Sequence, residues 1–161
     1  MQIEMTIKGL TVDPITNMPI VILRDSEEKH VLPIWVGVFE ANAIASQIEN
    51  VASSRPMTHD LLRNVIQDLK ARIDRIVISD IQDNTFFSFI HMEVGGEIVA
   101  VDSRPSDAIA LALRVSAPIF VEKTVIEGAK KLEFSAENAE PERLTKWLED
   151  LDTEDMGKYK M

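Results

Sequence analysis

The chain has 161 residues, enough for one domain or a domain with a short appendage. With 45% hydrophobic and 27% charged residues and no cysteine, it is neither disordered nor collagen-like, and it carries no disulfide framework, thiolate metal site or cysteine nucleophile. The 17 basic residues face 27 acidic ones, a net charge of −10. Up to Val121 there are 10 basic and 16 acidic residues, and after it 7 and 11, so the acidity runs along the whole chain. A field of that sign repels nucleic acid, and any polyanionic substrate needs a local basic groove or a bridging divalent cation. Apolar stretches such as Pro19 to Leu23 and Ala108 to Leu113 fall far short of a membrane span, and Met-Gln-Ile-Glu-Met has no secretory signal pattern. A cytoplasmic protein is expected.

Ile3 to Lys8 alternates apolar and polar and predicts a half-buried strand. Asp13-Pro14 and Asn17 mark a turn, and Pro19 to Leu23 reads as a central strand. Ser26 to Lys29 is a hairpin tip, with His30 to Val36 returning. The period then lengthens: Phe39, Ala43, Ile44 and Ile48 share one helical face between Phe39 and Asn50. After Ser53 to Pro56 breaks the chain, Thr58 stands where an N-cap belongs, ahead of Leu61, Leu62, Val65, Ile66 and Leu69 on a second amphipathic helix.

The second half repeats this order. Ile73 to Ile81 and Thr85 to Glu93 are strands, Gly95-Gly96 a tight turn, and Glu97 to Val101 the returning strand. Ser106 to Val115 predicts a helix capped by Ser106 or Ser103, Pro118 to Val121 is extended, and Lys123 to Lys131 is a short helix. At an offset of 65, Ala43-Ile44-Ala45 aligns with Ala108-Ile109-Ala110, Val36 with Val101 and Asn42 with Asp107. The expected fold is α+β, a duplicated unit of about three strands and two helices with a mixed or antiparallel sheet packed with helices. A boundary is placed at residue 133. Beyond it, 134–161 forms an acidic C-terminal segment in which Leu144, Trp147, Leu148 and Leu151 make a helical stripe. That stripe and Trp35 point to a homo-oligomer.

Two polar segments enter predicted helices, Arg55-Pro56-Met57-Thr58-His59-Asp60 and Asp102-Ser103-Arg104-Pro105-Ser106-Asp107. Each carries Arg-Pro, a hydroxyl residue and an aspartate at a helix N-terminus, where unpaired N–H groups and the dipole attract anions. One reading makes them caps and first-turn acids paired with arginines. The other makes them a phosphodiester site. In it Asp102, Asp107 and Asp60 hold Mg²⁺ or Mn²⁺, Arg55 and Arg104 take a phosphate bidentately, and His59 acts as general acid or base, so that His59, Arg55, Arg104 and Asp60 are the catalytic candidates. A metal-free ribonuclease using His59, Arg55 and Arg104 is a further possibility. Glu40 is a first-turn acid able to add a carboxylate; His30 and His91 read as surface or packed histidines. No GxGxxG, Walker loop, HExxH or GxSxG is present.

Leu32-Pro33-Ile34-Trp35-Val36-Gly37 with Glu40-Ala41, then Arg55-Pro56-x-Thr58-His59-Asp60-Leu61-Leu62, then Val101 to Ala112 and Pro118 to Val121, resembles the bifunctional nuclease family over roughly Met1 to Glu133. The resemblance implies an α+β domain, hydrolysis of phosphodiester bonds in both DNA and RNA, and nucleic acid as substrate. The alternative in another class is a non-catalytic oligomeric binding or regulatory module, in which the Arg-Pro segments are structural caps. The fate of Asp102 and Asp107 separates the two: buried against arginine they are structure, and open on a cleft beside Asp60 they suit a metal.

Overall fold

The computed structural model describes residues 1–135; the Leu144/Trp147/Leu148/Leu151 stripe lies outside them. Three strands come first, β1 (Gln2–Val12), β2 (Pro19–Asp25) and β3 (Val31–Trp35), followed by helices α1 (Val38–Ile48) and α2 (Thr58–Asp68). Then come β4 (Arg72–Gln82), β5 (Thr85–Val94), β6 (Glu97–Ser103), α3 (Pro105–Val115), β7 (Ile119–Glu122) and α4 (Lys123–Ser135). The expected α+β class holds. The two antiparallel meanders flank β7 in one seven-stranded sheet of order β3-β2-β1-β7-β4-β5-β6. β7 runs antiparallel to β1 and parallel to β4, so the sheet is mixed.

Turn chemistry sets the hairpins. Asp83-Asn84 and Gly95-Gly96 both hold positive φ and close two-residue connections, the twist that right-handed strands prefer. Between β1 and β2, Asp13 Oδ1 accepts from the Ile15 N–H at 2.9 Å and Oδ2 from the Trp35 indole at 2.8 Å. Burial pushes the Asp13 carboxyl up, but those bonds outweigh it and hold it below its ordinary range. Trp35 thereby roofs a small cluster with Ile20, Ile22 and Val31 on one sheet face.

The main core lies on the other face, where Val21, Leu23, Leu32 and Ile34 meet Ile76, Ile78, Val121 and the inner sides of α1, α3 and α4. α4 touches β4, β7 and β3. Neighbouring strands are about 4.8 Å apart and a helix is about 10 Å wide, so reaching β3 from β4, four places away, requires the sheet to curl around α4.

Three expectations need correcting. α1 turns Ala41, Ile44 and Ala45 inward, while Phe39 is 89% exposed and Ile48 stands partly in solvent. α2 buries none of its residues fully. Only Ile66 reaches the core, and Leu61, Leu62, Val65 and Leu69 are exposed, because α2 packs on α3 and not on the sheet. The caps also differ: Thr58 is the first residue of α2, whose N-cap is Met57, and α3 starts on Arg104 with Pro105 at its first position.

Candidate active site at the helix groove

α1 and α2 both pack against α3, and the space between them is an open groove of about 970 Å³. Asp107 sits in the first turn of α3, where the helix dipole favours a carboxylate. Its Oδ2 accepts from Arg104 Nε at 2.9 Å, and Arg104 Nη2 lies 2.8 Å away. The same Nη2 donates to Glu40 Oε1, from the first turn of α1, at 2.8 Å. These two carboxylates, Asp107 first, raise the Arg104 guanidinium above its ordinary range. Gly37 makes the Glu40 position possible, because a Cβ there would collide with the Glu40 carboxylate.

The other Asp107 oxygen faces His59. His59 Nε2 lies 2.8 Å from Asp107 Oδ1, and because a carboxylate only accepts, Nε2 carries the shared proton. Nδ1 is then the basic nitrogen, and it has no hydrogen-bond partner among the described residues. His59 is 12% exposed and lines the groove. Glu40, Arg104, Asp107 and His59 thus form one chain of charge-assisted contacts from α1 across α3 to α2.

Asp60 does different work. Its Oδ2 accepts the Met57 N–H at 3.0 Å, tying the start of α2, and its Oδ1 accepts from Arg114 Nε at 2.7 Å. The Arg114 side chain is 2% exposed and also donates to the carbonyls of Ala43 and Ala110, so one guanidinium joins all three helices. The Met57 N–H first, and then Arg114, outweigh burial and hold the Asp60 carboxyl below its ordinary 3.8.

Of the residues singled out in the sequence, Arg55, His59, Asp60, Arg104 and Asp107 all line the groove. Arg55 makes no ion pair or hydrogen bond among the described residues. Asp102 stands apart: it is exposed on β6 opposite Phe89 and does not line the groove. Among the described residues no three His, Asp or Glu side chains converge to hold an ion, so Asp102, Asp107 and Asp60 are not gathered on one point. His30 is taken up by Asp25 at 2.8 Å, and His91 lies opposite Ala100 in the sheet.

Three groove residues escaped the sequence reading. Phe39 was placed on the core face and instead lines the groove. Arg63 lines the groove from α2 and lies outside both Arg-Pro segments. Arg114 also lies outside those segments, although an arginine ending Ala110-Leu111-Ala112-Leu113 is the signal that a buried partner awaits it.

A family model described as the bifunctional nuclease domain matches residues 21–133, and the chain belongs to that family. Two similar proteins are both named as uncharacterized, one from Mycobacterium tuberculosis strain CDC 1551 / Oshkosh and one from strain ATCC 25618 / H37Rv. Each is 38% identical over 126 residues, covering 78% of this chain and 75% of the relative. Among the described residues no helix is long and apolar enough to cross a membrane.

Proposed function

We propose that the chain hydrolyses phosphodiester bonds of DNA and RNA in the groove, with His59 as the general base. The observation that carries this reading is the His59–Asp107 pair on the groove wall, which leaves Nδ1 unpartnered in a groove also lined by the unpaired Arg55. Asp107 fixes the tautomer and steadies the imidazolium that forms, and Arg104 and Glu40 fix Asp107. A step serving both sugars must use water, because DNA lacks the 2′-hydroxyl. His59 Nδ1 takes a proton from water as its oxygen bonds to phosphorus; the P–O bond to the leaving nucleoside breaks, and that oxygen receives a proton from the imidazolium. Arg55 supplies charge at the phosphate oxygens.

Groove charge supports this reading within an acidic chain. Arg55, Arg63, Arg104 and Arg114 face Glu40, Asp60 and Asp107 there, four cations against three anions. Phe39 offers a ring for an unstacked base, which favours single-stranded or flexible substrate. The expected Mg²⁺ or Mn²⁺ meets a donor set already engaged. Asp60 accepts from Met57 and Arg114, Asp107 from His59 and Arg104, and Asp102 lies off the groove. The step above therefore runs on the chain's own residues. The proposed setting is the cytoplasm.

The test is degradation of labelled single-stranded DNA and RNA by wild type, His59→Asn and Arg55→Ala, with Mg²⁺, with Mn²⁺ and with EDTA. We expect cleavage in EDTA, loss of about 10²- to 10⁴-fold in His59→Asn, and a raised KM in Arg55→Ala. Cleavage abolished by EDTA refutes the metal-free step, and undiminished cleavage by His59→Asn refutes the site. Binding without cleavage by wild type establishes instead the non-catalytic binding module, which the purely structural use of Asp60 and Arg114 favours.

A further inference from the structure

The two edges of the sheet are unlike. β3 is five residues long, and Pro33 at its centre removes a backbone donor, a common guard against strand addition. β6, at the other end of the sheet order, is the seven-residue Glu-Ile-Val-Ala-Val-Asp-Ser, with no proline, lysine or arginine. Ile98 is 59% exposed, Val99 42% and Val101 39%. Val99 and Val101 extend the core face of Met92 and Ile90, whereas Ile98 points to the opposite face beside Glu93. An unguarded apolar edge of this length is a template for another strand.

We propose that β6 pairs antiparallel with β6 of a second copy of this chain, making a two-fold dimer with one continuous sheet. The sequence of the strand argues for a copy of itself. Only the register centred on Ala100 engages all seven residues, and it is self-complementary. Val99 meets the partner's Val101, and Ala100 meets the partner's Ala100. The acids avoid each other: Asp102 lies opposite the partner's Ile98, and Glu97 opposite the partner's Ser103. An unrelated acidic strand would set like charges against Glu97 or Asp102. Because each copy carries −10, the association strengthens as salt screens long-range repulsion.

The test uses the full chain, whose lack of cysteine makes single-cysteine variants unambiguous. Light scattering at micromolar concentration should give a dimer for wild type, more fully formed at higher salt, and a folded monomer for Val101→Lys. Opposed residues in antiparallel strands have Cα atoms about 4.5–5.5 Å apart, within disulfide reach. Ala100→Cys should therefore oxidise to a covalent dimer readily, and Ile98→Cys, which faces the partner's Asp102, should not. A monomeric wild type overturns the proposal, including the case in which residues 136–161 occupy this edge. A Val101→Lys variant that remains dimeric, or Ile98→Cys cross-linking as well as Ala100→Cys, also overturns it.

Discussion

Asp60 and Asp107 occupy corresponding places near two helix starts, yet their partners give them opposite roles. Asp60 neutralises the almost fully buried Arg114, so Asp60→Ala should cost about 3 kcal/mol by leaving an uncompensated interior charge. Adding Arg114→Met should return much of that loss in urea unfolding, because it removes the stranded charge. The acid limb gives the sign. A carboxyl held below 3.8 in the folded state contributes stability above that pH and loses it as pH falls through the folded value. The stability gap between wild type and Asp60→Asn should therefore narrow below about pH 3.8, and a gap constant to lower pH would contradict the pairing. Gly37 makes a finer prediction. Gly37→Ala should swing the Glu40 carboxylate off the exposed Arg104 while changing stability by only about 0.5 kcal/mol, visible as a lost Glu40–Arg104 contact in a crystal structure of the variant.

α3 and α2 show what a local pattern conveys and what it omits. Ala108 to Ala112 is an apolar run, and every residue of it is buried, as its composition requires. α2 has the cleaner helical periodicity, but its apolar side faces solvent, because the core face was already filled by α1, α3 and α4. Periodicity states that a helix has two sides, and only tertiary packing decides which side finds a partner. Phe39 was misread for the same reason. Hairpins were legible where turn residues fix the backbone, as at Gly95-Gly96. β7 was legible as a strand but not as the one inserted between β1 and β4, since pairing over such separations leaves no local trace. α2 is anchored mainly by Ile66 and the Asp60–Arg114 pair, so its amides should exchange with solvent well before those of α3. Equal protection of both helices in hydrogen exchange would show that α2 is more deeply held.

At the scale of the molecule, the proposed function asks an acidic chain to take a polyanion into a groove that is locally basic. The candidate site was readable in part: Arg55, His59, Arg104 and Asp107 stood out as polar residues entering helices, while Arg63 and Arg114 entered the groove only by folding. Arg55 and Arg63 have no acidic partner among the described residues. With about 0.7 counterion released per neutralised single-strand phosphate, and one phosphate each for Arg55 and Arg63, the logarithm of single-strand affinity should fall with the logarithm of salt at a slope near −1.4, and near −0.7 in Arg55→Ala. An unchanged slope would place the phosphates elsewhere. The central claim is that His59 moves the proton. Single-turnover cleavage of a saturating labelled single strand, in EDTA, compares wild type with His59→Asn after binding is complete. The account predicts equal substrate affinity and a chemical step slowed about 10²- to 10⁴-fold. A variant that cleaves at the wild-type rate, or fails only because it no longer binds, would contradict it.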